Sequence, residues 1–167
     1  MKKLLILSTA AFCFAAAPAF AGEGTYVNLG GAYVEDGGVV LFGRGGYNFA
    51  EYFGVEAEAG LGIADKSDTL LGVDVKTGVN FTLGAFGVGR VPLGENFNIF
   101  GRVGYHYSEV EAKAGNFNAI DHADGIAFGA GIEYMLDDNN GIRAEYTSYD
   151  GDGGSLDVFG VSYVRKF

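Results

Sequence analysis

From Thr25 to Phe167 the chain alternates residue character with a period of two, and no stretch sustains the 3.6-residue period of a helix. Eight such segments can be counted, near Thr25–Val34, Val39–Phe49, Gly54–Ile63, Val73–Val91, Phe97–Ser108, Gly125–Leu136, Ile142–Tyr149 and Leu156–Phe167. One face of each is apolar: Val55, Ala57, Ala59, Leu61 and Ile63 in the third, and Val79, Phe81, Leu83 and Ala85 in the fourth. A chain with this pattern folds as β-sheet. The 29 glycines reinforce the point, because each interior Gly costs a helix about 1 kcal/mol relative to Ala.

The opposite face says which solvent each side meets. A soluble sandwich solvates its polar face, usually with Lys, Glu and Thr. Here that face is Gly and Asn with a balanced set of charges placed in mid-segment: Arg44, Arg90, Arg102 and Arg143 against Glu56, Glu58, Glu133 and Glu145. Small residues and paired charges suit a narrow barrel lumen, and the apolar face then meets lipid. Tyr47, Phe49, Phe97, Tyr105, Tyr107, Tyr134 and Tyr163 fall near segment ends, as interfacial girdles do. The segments have the roughly 9–11 residues that a membrane strand needs, and eight is an even number. The expected fold is all-β, an eight-stranded antiparallel transmembrane barrel.

The first 21 residues read as an address. Lys2 and Lys3 precede the apolar stretch Leu4–Ala17, and Ala19-Phe20-Ala21 is a small-x-small cleavage site. The expected boundaries are a signal peptide over 1–21 and a barrel domain over 22–167. No apolar run elsewhere approaches the 18 or so residues of a membrane helix. Phe12 precedes Cys13 where a lipoprotein signal needs a small residue, and removal of the leader would take away the single cysteine.

Three connections are tight: Asn48 to Phe53, Pro92 to Asn96 and Asp137 to Gly141. Four are longer, over Glu35–Gly38, Ala64–Gly72, Glu109–Asp124 and Asp150–Ser155. With both termini in the periplasm, the tight turns face the periplasm and the longer connections form outer loops. These loops hold Glu35, Asp36, Asp65, Asp68, Asp74, Glu109, Glu111, Asp121, Asp124, Asp150, Asp152 and Asp157, opposed only by Lys66 and Lys113. Such a rim is solvated, and its carboxylates could bridge through divalent cations to lipopolysaccharide phosphates.

Several motifs identify a family by resemblance. Gly43-Arg-Gly-Gly-Tyr47, Gly54-Val-Glu-Ala-Glu58 and Phe100-Gly-Arg-Val-Gly-Tyr105 resemble the strands of the small eight-stranded OmpA/OmpX-type outer-membrane barrels. The end of the chain, with Phe159, Val161, Tyr163 and a terminal Phe167 alternating, is similar to the insertion signal that barrel-assembly machinery reads in this class. Arg165 departs from the pattern at a position usually apolar, which places it at the periplasmic interface. The resemblance covers the whole predicted mature chain. It implies a Gram-negative outer-membrane location, outer-membrane lipid and the assembly machinery as partners, and a porin-like or OmpA-like surface protein.

Function classes narrow accordingly. With 21 acidic against 11 basic residues and a net charge of −10, the chain is a poor nucleic-acid binder. No catalytic, cofactor or metal set is expected. An eight-stranded lumen is just wide enough for side chains, so the Arg/Glu set is read as a plug that stiffens the barrel for a structural role in the envelope. A small-solute or ion channel and a surface adhesin are the alternatives. A lipid A-modifying enzyme is the remote one. His106-Tyr107-Ser108 matches the His-x-Ser spacing of outer-membrane deacylases, but His106 and Ser108 share the lumen face with Arg102, away from lipid.

Overall fold

In a computed structural model of the chain, the structure describes residues 24–35, 38–64, 66–70, 73–114, 117–151 and 154–167. The expected signal peptide over 1–21 lies outside the described residues, as do Asp36, Asp65 and Asp152. The strands are β1 (Thr25–Val34), β2 (Gly38–Asn48), β3 (Phe53–Ala64), β4 (Lys66–Leu70), β5 (Val73–Pro92), β6 (Phe97–Ala114), β7 (Phe117–Met135), β8 (Asn140–Gly151) and β9 (Gly154–Lys166). Every neighbouring pair is antiparallel, in the order β3-β2-β1-β9-β8-β7-β6-β5-β4, and β3 also pairs with β5. That last pairing closes the sheet. β3 lies along residues 81–89 of β5 and β4 along residues 73–77, so the two share one stave and the barrel has eight.

The third stave breaks beside two irregularities in the ladders. The register between β5 and β6 shifts between Val79 and Phe81, leaving Asn80 unopposed. The register between β2 and β3 shifts between Val39 and Val40, leaving Ile63 unopposed. An extra residue in one strand inverts the facing of the residues beyond it. Val79, expected on the lipid face with Phe81, consequently lines the lumen.

The largest correction concerns the third outer loop. The segment Glu109–Asp124 is not loop: β6 and β7 run on as a hairpin, paired from Tyr107↔Asp124 to Ala114↔Phe117. Ala64–Gly72 likewise contributes β4. Glu109, Glu111, Asp121, Asp124, Asp68, Asp74, Asp150 and Asp157 therefore belong to strands. Alternation is harder to see there because both faces of a hairpin standing clear of lipid can be polar.

Leu29, Tyr33, Leu41, Val55, Leu83, Val103, Phe128, Ile132, Tyr146 and Val161 all project outward and are exposed. Tyr47, Phe49, Tyr134 and Tyr163 stand exposed near the turn end of the barrel, where both described termini also lie. Tyr105 and Tyr107 stand in mid-strand, because β6 continues past them.

Candidate functional site

The lumen carries the chemistry. Glu56 and Glu58 project from β3 two residues apart, so both face inward. Arg44 on β2 is directly opposite Glu58 in register. Arg90 comes from β5, Arg102 from β6, and Arg143 and Glu145 from β8. These seven side chains come from five strands, and none of the residues is more than 8% exposed.

Three carboxylates organise the cluster. Glu56 accepts from Arg143 Nη1 and Nη2, from Arg90 Nη2 at 3.3 Å and from Tyr26 Oη at 2.7 Å. Glu58 accepts from Arg44 Nε at 2.5 Å, Arg102 Nη1 at 2.9 Å and Tyr149 Oη at 2.9 Å. Glu145 takes Arg44 through both terminal nitrogens and Arg143 Nε at 3.1 Å. Arg102 also approaches Glu56 at 3.7 Å and Glu145 at 3.8 Å, so it touches all three. Glu133 stands apart. It lies opposite Arg143 in register and is 1% exposed, but its ion pair is with Lys166 Nζ at 2.7 Å. Sequence reading does not single out Lys166.

Each guanidinium also stacks on an aromatic ring: Arg44 on Phe42, Arg90 on Tyr26, Arg102 on Phe86 and Arg143 on Phe100, with the charge 4.0, 4.5, 4.0 and 3.7 Å from the ring centroids. Each ring in turn occupies the space above a lumen glycine. A Cβ at Gly46 would lie 2.1 Å from Tyr26, one at Gly30 2.8 Å from Phe42, one at Gly104 2.7 Å from Phe86 and one at Gly131 2.6 Å from Phe100. The lumen is thus built of four glycine, ring and guanidinium stacks joined by three carboxylates. A cation over a desolvated ring is worth about 2 kcal/mol. Sequence reading takes aromatics as girdle residues and misses these four together with Tyr149. The signal is present in parity, since Phe42 and Phe100 stand two residues before Arg44 and Arg102.

On the hairpin side of the network the lumen opens into a cavity of about 750 Å³ whose inner end includes Arg44, Glu58 and Glu145. His106 and Ser108 are on its wall, with Nδ1 and Oγ 3.4 Å apart, and the His106 ring meets Tyr149 edge-on at 5.0 Å.

The chain's end is tied to the neighbouring turn. Phe159, Val161 and Tyr163 face outward at 53, 48 and 43% exposure. The Phe167 amide donates to Thr25 O at 3.0 Å, and exposed Arg165 donates to Asn140 Oδ1 at 2.8 Å.

No curated protein matches the chain by sequence. Among solved structures, Ail of Yersinia pestis in complex with the heparin analogue sucrose octasulfate superposes with a TM-score of 0.64 at 16% identity, covering 87% of this chain and 100% of that one. The N-terminal β-barrel domain of Pseudomonas aeruginosa OprF gives 0.64 at 13% identity over 86% of this chain and 98% of the other. OprG from the same organism gives 0.62 at 17% identity over 88% and 98%. These likenesses establish the fold. A family model for the outer membrane protein beta-barrel domain matches residues 5–167, so the chain, an integral protein of the outer membrane, belongs to that family.

Proposed function

We propose that the protein is a structural element of the outer membrane whose lumen is plugged by its own side chains. The observation that carries this reading is the network itself. Seven buried charges from five strands, four arginines and three glutamates, cross the lumen and pair with one another, with Tyr26 and Tyr149 donating to the carboxylates as well. Ions crossing it would have to displace pairs held in a confined, low-dielectric space, where removal of one partner costs about 3–5 kcal/mol. Planar-bilayer recording tests the plug. The reading expects no current above bare lipid, and steady conductance that changes on Glu58→Gln would overturn it in favour of a small-ion channel. That second reading draws on the cavity, which leaves the network as the floor between one end of the lumen and the other.

The same reading has residues 1–21 removed as a signal peptide, the tight turns facing the periplasm, and Phe159, Val161, Tyr163 and Phe167 serving as the insertion signal. It assigns no enzymatic activity, because His106 and Ser108 face the lumen rather than lipid. Outer-membrane lipid is its surrounding partner, with divalent cations between rim carboxylates and lipopolysaccharide. An acidic rim does not favour a sulfated polyanion such as the one bound to Ail.

A further inference from the structure

The lumen face changes character along its length. Toward the turns it is charged. Toward the hairpins its β2-β1-β9 wall is apolar: Val40, Ala32 and Val34 stand beside Val158 and Leu156, with Phe42 below them. Val34, Val40 and Phe42 are 5, 8 and 5% exposed, although they occupy the lumen parity where a water-filled vestibule would carry polar groups. The wall built by β5, β6 and β8 differs. Below the opposed apolar pair Val79 and Val110, Thr82 and Ser108 are directly opposed there, beside His106 and Tyr149. At the floor, Arg44 is paired with both Glu58 and Glu145, so the charged side chains that line the cup are already engaged with one another.

We propose that this cup is a binding site for an uncharged, largely apolar small molecule bearing one or two hydroxyl or carbonyl groups along one edge. The apolar edge lies on β1, β2 and β9, and the polar edge meets Thr82, Ser108 and His106. The volume of about 750 Å³ falls within the 300–1,000 Å³ range usual for small-molecule pockets. Burying apolar area against Val34, Val40 and Val158 supplies the affinity, and the hydroxyl wall supplies the orientation. The inference rests on the plugged lumen, because the network is the floor of the cup.

The test uses the barrel in lipid nanodiscs with labelled valine methyls and two probes, uncharged 2-naphthol and anionic 2-naphthalenesulfonate, at neutral pH. With 2-naphthol, the methyls of Val34, Val40 and Val158 shift and saturate, whereas those of lipid-facing Val55, Val103 and Val161 follow partitioning into lipid without saturating. The sulfonate gives no saturable shift. Ala32→Phe, which places a ring against the apolar wall where the guest would lie, abolishes saturation while the variant still shows the heat-dependent electrophoretic shift of a closed barrel. If that variant does not fold, Thr82→Val with Ser108→Ala keeps the volume and weakens 2-naphthol binding about tenfold through two lost hydrogen bonds. Non-saturating shifts at every valine, or equal saturation by both probes, would overturn the proposal, and an unchanged affinity in the double variant would overturn the polar wall. Conductance of the same preparation separates the two readings, since a conducting barrel that still saturates fails the plug and keeps the site.

Discussion

The guanidinium of Arg143 lies 3.7 Å from the centroid of the Phe100 ring, and both residues are almost wholly buried in the lumen. The ring lets a cation sit in a confined space at lower cost. A double-mutant cycle on Phe100→Leu and Arg143→Lys in lipid vesicles should give a coupling energy of about 1–2 kcal/mol, with the phenyl contributing beyond its volume. A coupling of zero would reduce the ring to packing.

Glu56 gathers Arg143, Arg90 and Tyr26. Glu56→Gln keeps the shape and removes the charge. It should destabilise the barrel by about 3–5 kcal/mol, read from the denaturant midpoint of the folded, fast-migrating band. Substitution at Glu133, whose ion pair is with Lys166, should add to the effect of Glu58→Gln with no coupling, because Glu58 pairs with Arg44 and Arg102 instead.

Gly46 and Gly45 are adjacent and face opposite ways. A methyl at Gly46 meets the Tyr26 ring at 2.1 Å, whereas one at Gly45 meets nothing within 4 Å. Gly46→Ala should cost about 1–3 kcal/mol by driving Tyr26 off Glu56, and Gly45→Ala should be neutral or slightly stabilising. Equal effects in thermal unfolding would refute the stack.

Asp137 caps the β7–β8 turn. The Asn140 side-chain amide and the backbone amides of Asn139 and Asn140 hold its carboxyl below the ordinary value of 3.8. Because the folded pKa is the lower one, its contribution is present above the unfolded value and fades as pH falls through the folded value. Protection of the Asn139 and Asn140 amides, taken relative to their intrinsic exchange rate at the same pH, should therefore fall below about pH 4. Asp137→Asn should remove that pH dependence, and an unchanged profile in the variant would assign it to another group.

How much of the molecule is legible in the chain divides along physical lines. Lipid is a uniform solvent, so the outward face of β3, with Val55, Ala57 and Ala59, can be read from parity alone. The lumen is no solvent at all. Its residues answer to particular neighbours, and Lys166 reaching Glu133 or Tyr149 reaching Glu58 depends on register between strands distant in sequence. Parity also fails where a bulge intervenes, as at Asn80, which is why Val79 faces the lumen against expectation. The hairpin over Glu109–Asp124 reads as loop because the alternation that marks a strand is imposed by lipid, and that hairpin stands beyond the aromatic residues Tyr105 and Tyr107.

The staves are unequal. β5, β6 and β7 have 20, 18 and 19 residues, whereas β1, β2, β8 and β9 have 10 to 13. The cylinder is therefore cut obliquely, like a quill, with one flank raised behind the mouth. Anything diffusing toward the cup meets the raised flank as a backstop and the low flank as a threshold. Hairpin length, more than any side chain at the rim, sets the direction from which the molecule can be approached.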